Sequence, residues 1–138
     1  MNKALVADRQ SIAVTVVRYL LGFVLGYAAM IVLLFVAQNL FFGGISYYRS
    51  PSSHLVIGGI LSVFAAVAGG VVAALVSSAP RFLAGSVISF LVVIETVYMT
   101  SAGRMEGPLW FDYAASFSLV IGIFAGYLLV AKFLVVRK

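Results

Sequence analysis

The sequence predicts an all-α fold, a polytopic membrane protein built as a bundle of four transmembrane helices, and three observations lead there. Of 138 residues, 64% are hydrophobic and only 9% are charged, against about 25% charged in a soluble domain. A water-facing surface cannot be built from that stock, so lipid must be the solvent for most of the chain. The apolar residues fall into four runs, each near the ~20 residues a helix needs to cross a bilayer. Short connections join those runs and leave no stretch for a separate soluble domain, so residues 1–138 form one membrane domain.

Residues 1–18 mix Leu5, Ile12, Val16 and Val17 with Asp8, Arg9, Gln10 and Arg18. This reads as a short helix lying in the cytoplasmic interface, the alternative being an extension of the first span. That span, 19–42, runs from Tyr19 to Phe42 and is left at Gly43-Gly44. Its apolar core is far longer than the ~7–15 residues of a signal h-region and ends in Gln38-Asn39 and aromatics, so it is expected to be retained. The second span, 55–76, runs from Leu55 to Val76 and ends at Ser77-Ser78-Ala79-Pro80. The third, 82–102, runs from Phe82 to Ala102 and closes at Gly103-Arg104; the fourth, 109–131, starts at Leu109 after Pro108 and reaches Ala131. Pro80 and Pro108 sit at or just before a first helical turn, where a missing N–H costs nothing. Tyr19, Phe41, Phe42, Tyr47, Tyr48, Trp110, Phe111 and Tyr113 cluster near the span ends, as an interfacial aromatic belt requires.

The net charge of +5 and pI of 9.8 would suit a nucleic-acid binder if the basic residues formed a stripe. They flank the apolar runs instead, so no nucleic-acid partner is expected and the charge reads as topology. Lys3, Arg9, Arg18, Arg81, Lys132, Arg137 and Lys138 fall on one side, Arg49 and Arg104 on the other. The lysine and arginine excess marks the cytoplasmic side, which places both termini inside and the connections Gly43–His54 and Gly103–Pro108 outside.

Within lipid, helices are held by close approach of small residues and by interhelical hydrogen bonds. The second span carries Gly58, Ser62, Ala66, Gly70, Ala74 and Ser78 in an unbroken i+4 ladder, with Gly59 and Gly69 widening the same groove. The fourth carries Ala114, Ser118, Gly122 and Gly126 at that spacing, and the first has Gly22 and Gly26. Helix two is therefore the expected centre of packing and helix four its leading partner.

Glu95 is the one ionisable side chain well inside a span. At ~1.5 Å per residue it lies about 10 Å from the outer end, a depth at which a charge costs at least ~2.5 kcal/mol. It shares a helical face with Ile88, Leu91, Tyr98, Met99 and Ala102, while Ser89, Thr96 and Thr100 form a stripe about 100° away that reads as interhelical glue. Gln38, Asn39, Asp112, Tyr113, Ser116 and Tyr98 lie towards the same leaflet and are its candidate partners. Glu95 reads either as a neutral structural hydrogen-bonder, or one paired with a basic group on another subunit, or as a proton- or cation-coupling carboxyl. His54, at the outer lip of the second span, reads as a solvated loop residue, with haem or pigment ligation the alternative.

The absence of cysteine excludes disulfides and thiolate chemistry, and a single histidine excludes a multi-histidine metal site within one copy. Neither a nucleotide-binding glycine loop nor a nucleophile elbow occurs. No enzyme activity, metal or cofactor is expected.

Several stretches carry a resemblance. A basic start leads into Leu21-Gly22-Phe23-Val24-Leu25-Gly26-Tyr27, and Ala68-Gly69-Gly70-Val71-Val72-Ala73-Ala74 lies in the second helix. A Pro80-Arg81 turn follows, and the last helix opens with Pro108-Leu109-Trp110-Phe111 and carries Gly122 to Gly126-Tyr127. Over most of its length the chain resembles small uncharacterised four-helix bacterial integral membrane proteins. The resemblance implies a bacterial inner (cytoplasmic) membrane location and brings no activity with it. Small multidrug resistance transporters are similar in size and helix number, but their membrane carboxylate lies in the first helix, where this chain has no acidic residue. The leading expectation is an accessory or scaffold subunit whose partners, beside the lipid bilayer, are other membrane protein subunits or copies of itself. A small oligomeric transporter or channel using Glu95 is the second reading, and a pigment- or haem-associated subunit using His54 the third.

Overall fold

The computed structural model describes residues 3–77, 83–105 and 107–136, with side chains from residue 11 to residue 133. Among the described residues four α-helices follow one another: α1 Lys3–Phe35, α2 Ser52–Ser77, α3 Leu83–Ser101 and α4 Leu109–Val136. A π-helical turn, Val36–Leu40, continues α1. No strand occurs among the described residues, and within them the segments Ser11–Leu40, Ser52–Ser77, Leu83–Ser101 and Leu109–Phe133 are long and apolar enough to cross a membrane. Ser78, Pro80, Arg81, Phe82, Glu106, Arg137 and Lys138 lie outside the described residues.

The boundary expected at Arg18 leaves no mark on the backbone. α1 is one helix of 33 residues, because neither glycine nor proline interrupts Lys3 to Leu21. The change of polarity there does not break the hydrogen-bond ladder. α2 opens earlier than Leu55, at Ser52, with the Pro51 carbonyl accepting from the N–H groups of His54 (2.9 Å) and Leu55 (3.3 Å). α3 ends in a Schellman turn: Gly103 adopts φ +63°, its N–H donates to the Thr100 carbonyl and that of Arg104 to the Met99 carbonyl. That arrangement satisfies the last orphan carbonyls and requires a left-handed residue at this position.

α2 occupies the middle. One side meets α1, where a Cβ on Gly26 would lie 2.8 Å from the Gly69 carbonyl oxygen and one on Gly22 would lie 2.9 Å from that of Ala73. The other side meets α4: a Cβ on Gly122 would lie 2.8 Å from the Ala66 Cβ, one on Gly126 would strike the Val67 carbonyl, and one on Gly70 the Ile123 carbonyl. Hydrogen in place of a side chain is what allows these backbones to touch. Among the described residues α1 and α4 do not approach each other directly, and α3 packs against both.

Two expectations about the packing change. α1, rather than α4, is the more extensive neighbour of α2, through Gly69, Ala73 and Ser77. The six-residue ladder does not serve one partner either. Each i+4 step advances about 40° around the helix, so the ladder winds past successive neighbours. Gly58 faces Ile45 and Phe42 of the α1–α2 connection, Ser62 accepts from Gln38, and Ala66 and Gly70 meet α4. Gly59 borders no groove: a Cβ there would meet nothing within 4 Å. The core closes around Met30, Ile88 and Ile123, with Ala66, Ala73, Ala84, Val92 and Tyr127 between them.

Candidate functional site

The site begins with an asymmetry in α3. Ala84, Gly85, Ile88, Ser89 and Val92 are buried, whereas from Val93 to Ser101 no residue is. Register does not cause this. Seven residues is close to two turns, so Glu95 projects within about 20° of Ile88, which is fully buried. Glu95 thus lies on the bundle-facing side of α3 and is nevertheless exposed. The N-terminal half of α3 is gripped where Gly85 admits the Tyr127 ring and where Ile88 reaches Gly26. Beyond Val92 the cover on the same stripe thins, with Glu95 exposed and Met99 only part-buried.

One group crosses the opening. The Tyr27 hydroxyl of α1 donates to Glu95 Oε2 at 3.2 Å, its ring stacked beside Phe23 with centroids 6.4 Å apart. A carboxylate offers about four acceptor positions, so one phenol leaves most of that capacity unspent. Backbone depth alone points away from this partner, because a tyrosine carries its hydroxyl far beyond its own Cα. A usable signal lies in Gly26: it lets α3 approach α1 beside Tyr27, and Ile88 and Glu95 share one face of α3.

The other polar residues go elsewhere. Gln38 Nε2 donates to Ser62 Oγ at 3.5 Å, and Asn39 Nδ2 donates to the Phe35 carbonyl at 3.2 Å. Asp112 sits in the first turn of α4, beside Gly107 and Tyr47, and its buried Oδ2 has no hydrogen-bond partner. Tyr98 stands exposed one turn beyond Glu95. The Ser89, Thr96 and Thr100 stripe does not link helices: Thr96 bonds back to the Val92 carbonyl, and the buried hydroxyls of Ser89 and Thr100 have no hydrogen-bond partner. In Thr96 the hydroxyl bonds back to the carbonyl one turn earlier, a local alternative to an interhelical partner.

At the far end of α1 the backbone gathers the connection to α2. Tyr47 packs against Phe111 (centroids 4.9 Å) and Trp110 (6.0 Å) at the start of α4. His54 lies 5.0 Å from the Phe42 ring, at the rim of an open hollow lined also by Ser46, Arg49 and Pro51. No group of three or more potential metal ligands occurs among the described residues.

Chemically, an exposed carboxyl with one phenol donor can accept further hydrogen bonds, pair with a cation, or exchange a proton. Comparison of the chain with family models, curated proteins and solved structures gives no match.

Proposed function

We propose that this chain is a small, non-catalytic integral membrane subunit that packs against a larger membrane complex or against copies of itself. The observation that carries the reading is the outer half of α3: its bundle-facing stripe continues the buried stripe of the inner half, yet none of its residues is buried and Glu95 on it is exposed. A bilayer offers no compensation to a carboxyl left at that depth, so a protein surface is the natural cover. The chain then belongs in a bacterial inner membrane with both termini cytoplasmic, as the distribution of lysine and arginine implies. Purification from native membranes in mild detergent tests this. Stable co-purification with larger subunits, or a defined homo-oligomer, is the expected result. A monodisperse monomer that keeps no partner would end the proposal.

One observation favours a second reading, a small transporter or channel. The Tyr27–Glu95 pair is accessible from outside the bundle, as a coupling carboxyl must be to load and unload a proton or cation. Flux in reconstituted vesicles that disappears in Glu95→Gln, with the fold intact, would select that reading over the first.

A further inference from the structure

We infer that the face made by α1 and the outer half of α3, centred on Glu95 and Tyr27, receives a transmembrane helix of a different protein that presents a lysine or arginine to Glu95. This rests on the membrane-subunit reading above and names the partner's chemistry. Three observations point the same way. Glu95 is exposed on a stripe whose register is that of a packed helix face. Around it, Leu20, Val24 and Ile31 of α1 are exposed on the side of the helix that carries Tyr27, and Tyr98 is exposed on α3. The acid is thus rimmed by apolar side chains, the layout of a helix-docking surface with one polar anchor.

The third observation is the placement of positive charge. Lys3, Arg9, Arg18, Arg49, Arg81, Arg104, Lys132, Arg137 and Lys138 are all the basic residues of the chain. Arg18 stands nine residues before Tyr27 and Arg104 nine residues after Glu95, so no basic residue lies within eight positions of either in the sequence. A second copy in the same orientation would bring no cation to this level, and one in the opposite orientation would violate the charge bias that sets topology. A tyrosine hydroxyl alone leaves the remaining lone pairs of Glu95 unmet. A guanidinium or ammonium from another chain fills them with charge-assisted hydrogen bonds.

The test is site-specific photo-cross-linking in cells that make the full chain, with a benzophenone amino acid at Tyr98 and, separately, at Phe117 on α4, followed by sequencing of the cross-linked peptides. The expected product at Tyr98 is a transmembrane peptide of another protein carrying a lysine or arginine. Its yield should fall about tenfold or more in Glu95→Gln, since losing one partner of a desolvated charge pair costs at least that factor in affinity. Exchanging the charges, Glu95→Lys against acid at the partner's basic position, should restore it. Adducts at Tyr98 with another copy of this chain, or with lipid alone, overturn the inference. So does a yield that Glu95→Gln leaves unchanged. If Glu95→Gln does not fold, the partner's basic residue is changed to glutamine against the native chain, and an undiminished adduct there is equally decisive. A protein adduct at Phe117 with only lipid at Tyr98 refutes this docking face while the subunit reading stands. Lipid at both sites, from a chain that purifies alone, refutes both.

Discussion

At the scale of single residues, the contact between Tyr27 and Glu95 divides what holds the chain together from what it offers to others. The bond spans 3.2 Å from a half-buried phenol to an exposed carboxyl, and an interhelical bond of this kind contributes on the order of 1 kcal/mol to the fold. Tyr27→Phe is therefore expected to leave the thermal midpoint of the detergent-purified monomer nearly unchanged. Glu95→Gln keeps an acceptor for the phenol and should do the same, while Glu95→Leu should lower stability slightly. A steep loss of fold in Glu95→Gln, read by circular dichroism, would mean that the carboxylate charge holds the bundle itself. Glu95 was legible in the sequence as the one membrane-depth acid; its partner was not. Depth along a helix places backbones, whereas a hydrogen bond depends on how far each side chain reaches and which helix stands next to it. Gln38 and Asn39 fit by depth, and the π-helical turn turns them to Ser62 and to their own backbone.

At the scale of helices, glycines that look alike in the sequence do different work. Gly59 and Gly70 lie on one helix, yet a Cβ on Gly59 meets open space and one on Gly70 strikes the Ile123 backbone. Gly59→Ala should be neutral or stabilising by up to ~1 kcal/mol through helix propensity. Gly70→Ala should cost about 1–3 kcal/mol, because the atom it meets is main chain and the helices must part. Gly70→Leu should disrupt folding or assembly more than Val71→Leu, compared by thermal aggregation in detergent; equal tolerance would refute the α2–α4 seam. The ladder of small residues was legible, and so was the central place of α2. The order of its neighbours was not, because a run of i+4 positions rotates as it advances and one sequence pattern serves the loop, α1 and α4 in turn. The π-helical turn carries no sequence mark that separates it from the α-helix before it.

At the scale of the whole molecule, hydropathy and charge are the strongest signals in the chain. They predict four long apolar helices, and among the described residues four helices are long and apolar enough to cross a membrane. The orientation proposed from the same residues is checked directly: single cysteines at Ser52 and Gly107 should react with an impermeant thiol reagent added outside intact cells, and one at Ser78 should not. The opposite pattern would invert the topology. What the sequence could not convey is that the bundle is closed at one end of α3 and open at the other, since burial depends on neighbours that no local pattern encodes.

The seating of α2 between α1 and α4 also has a consequence for biosynthesis. A ribosome delivers α1 and α2 first, so in the proposed membrane setting the Gly26–Gly69 seam can close as soon as those two helices have entered the bilayer. The seat for α4, at Ala66 and Gly70, must then stay vacant until the last helix has been made. During that interval a groove of bare backbone faces lipid, the kind of surface that membrane chaperones hold and membrane proteases degrade. A chain stopped after Ser101 should be short-lived in pulse-chase labelling, and co-expression of a separate α4 segment should prolong its life by filling the seat.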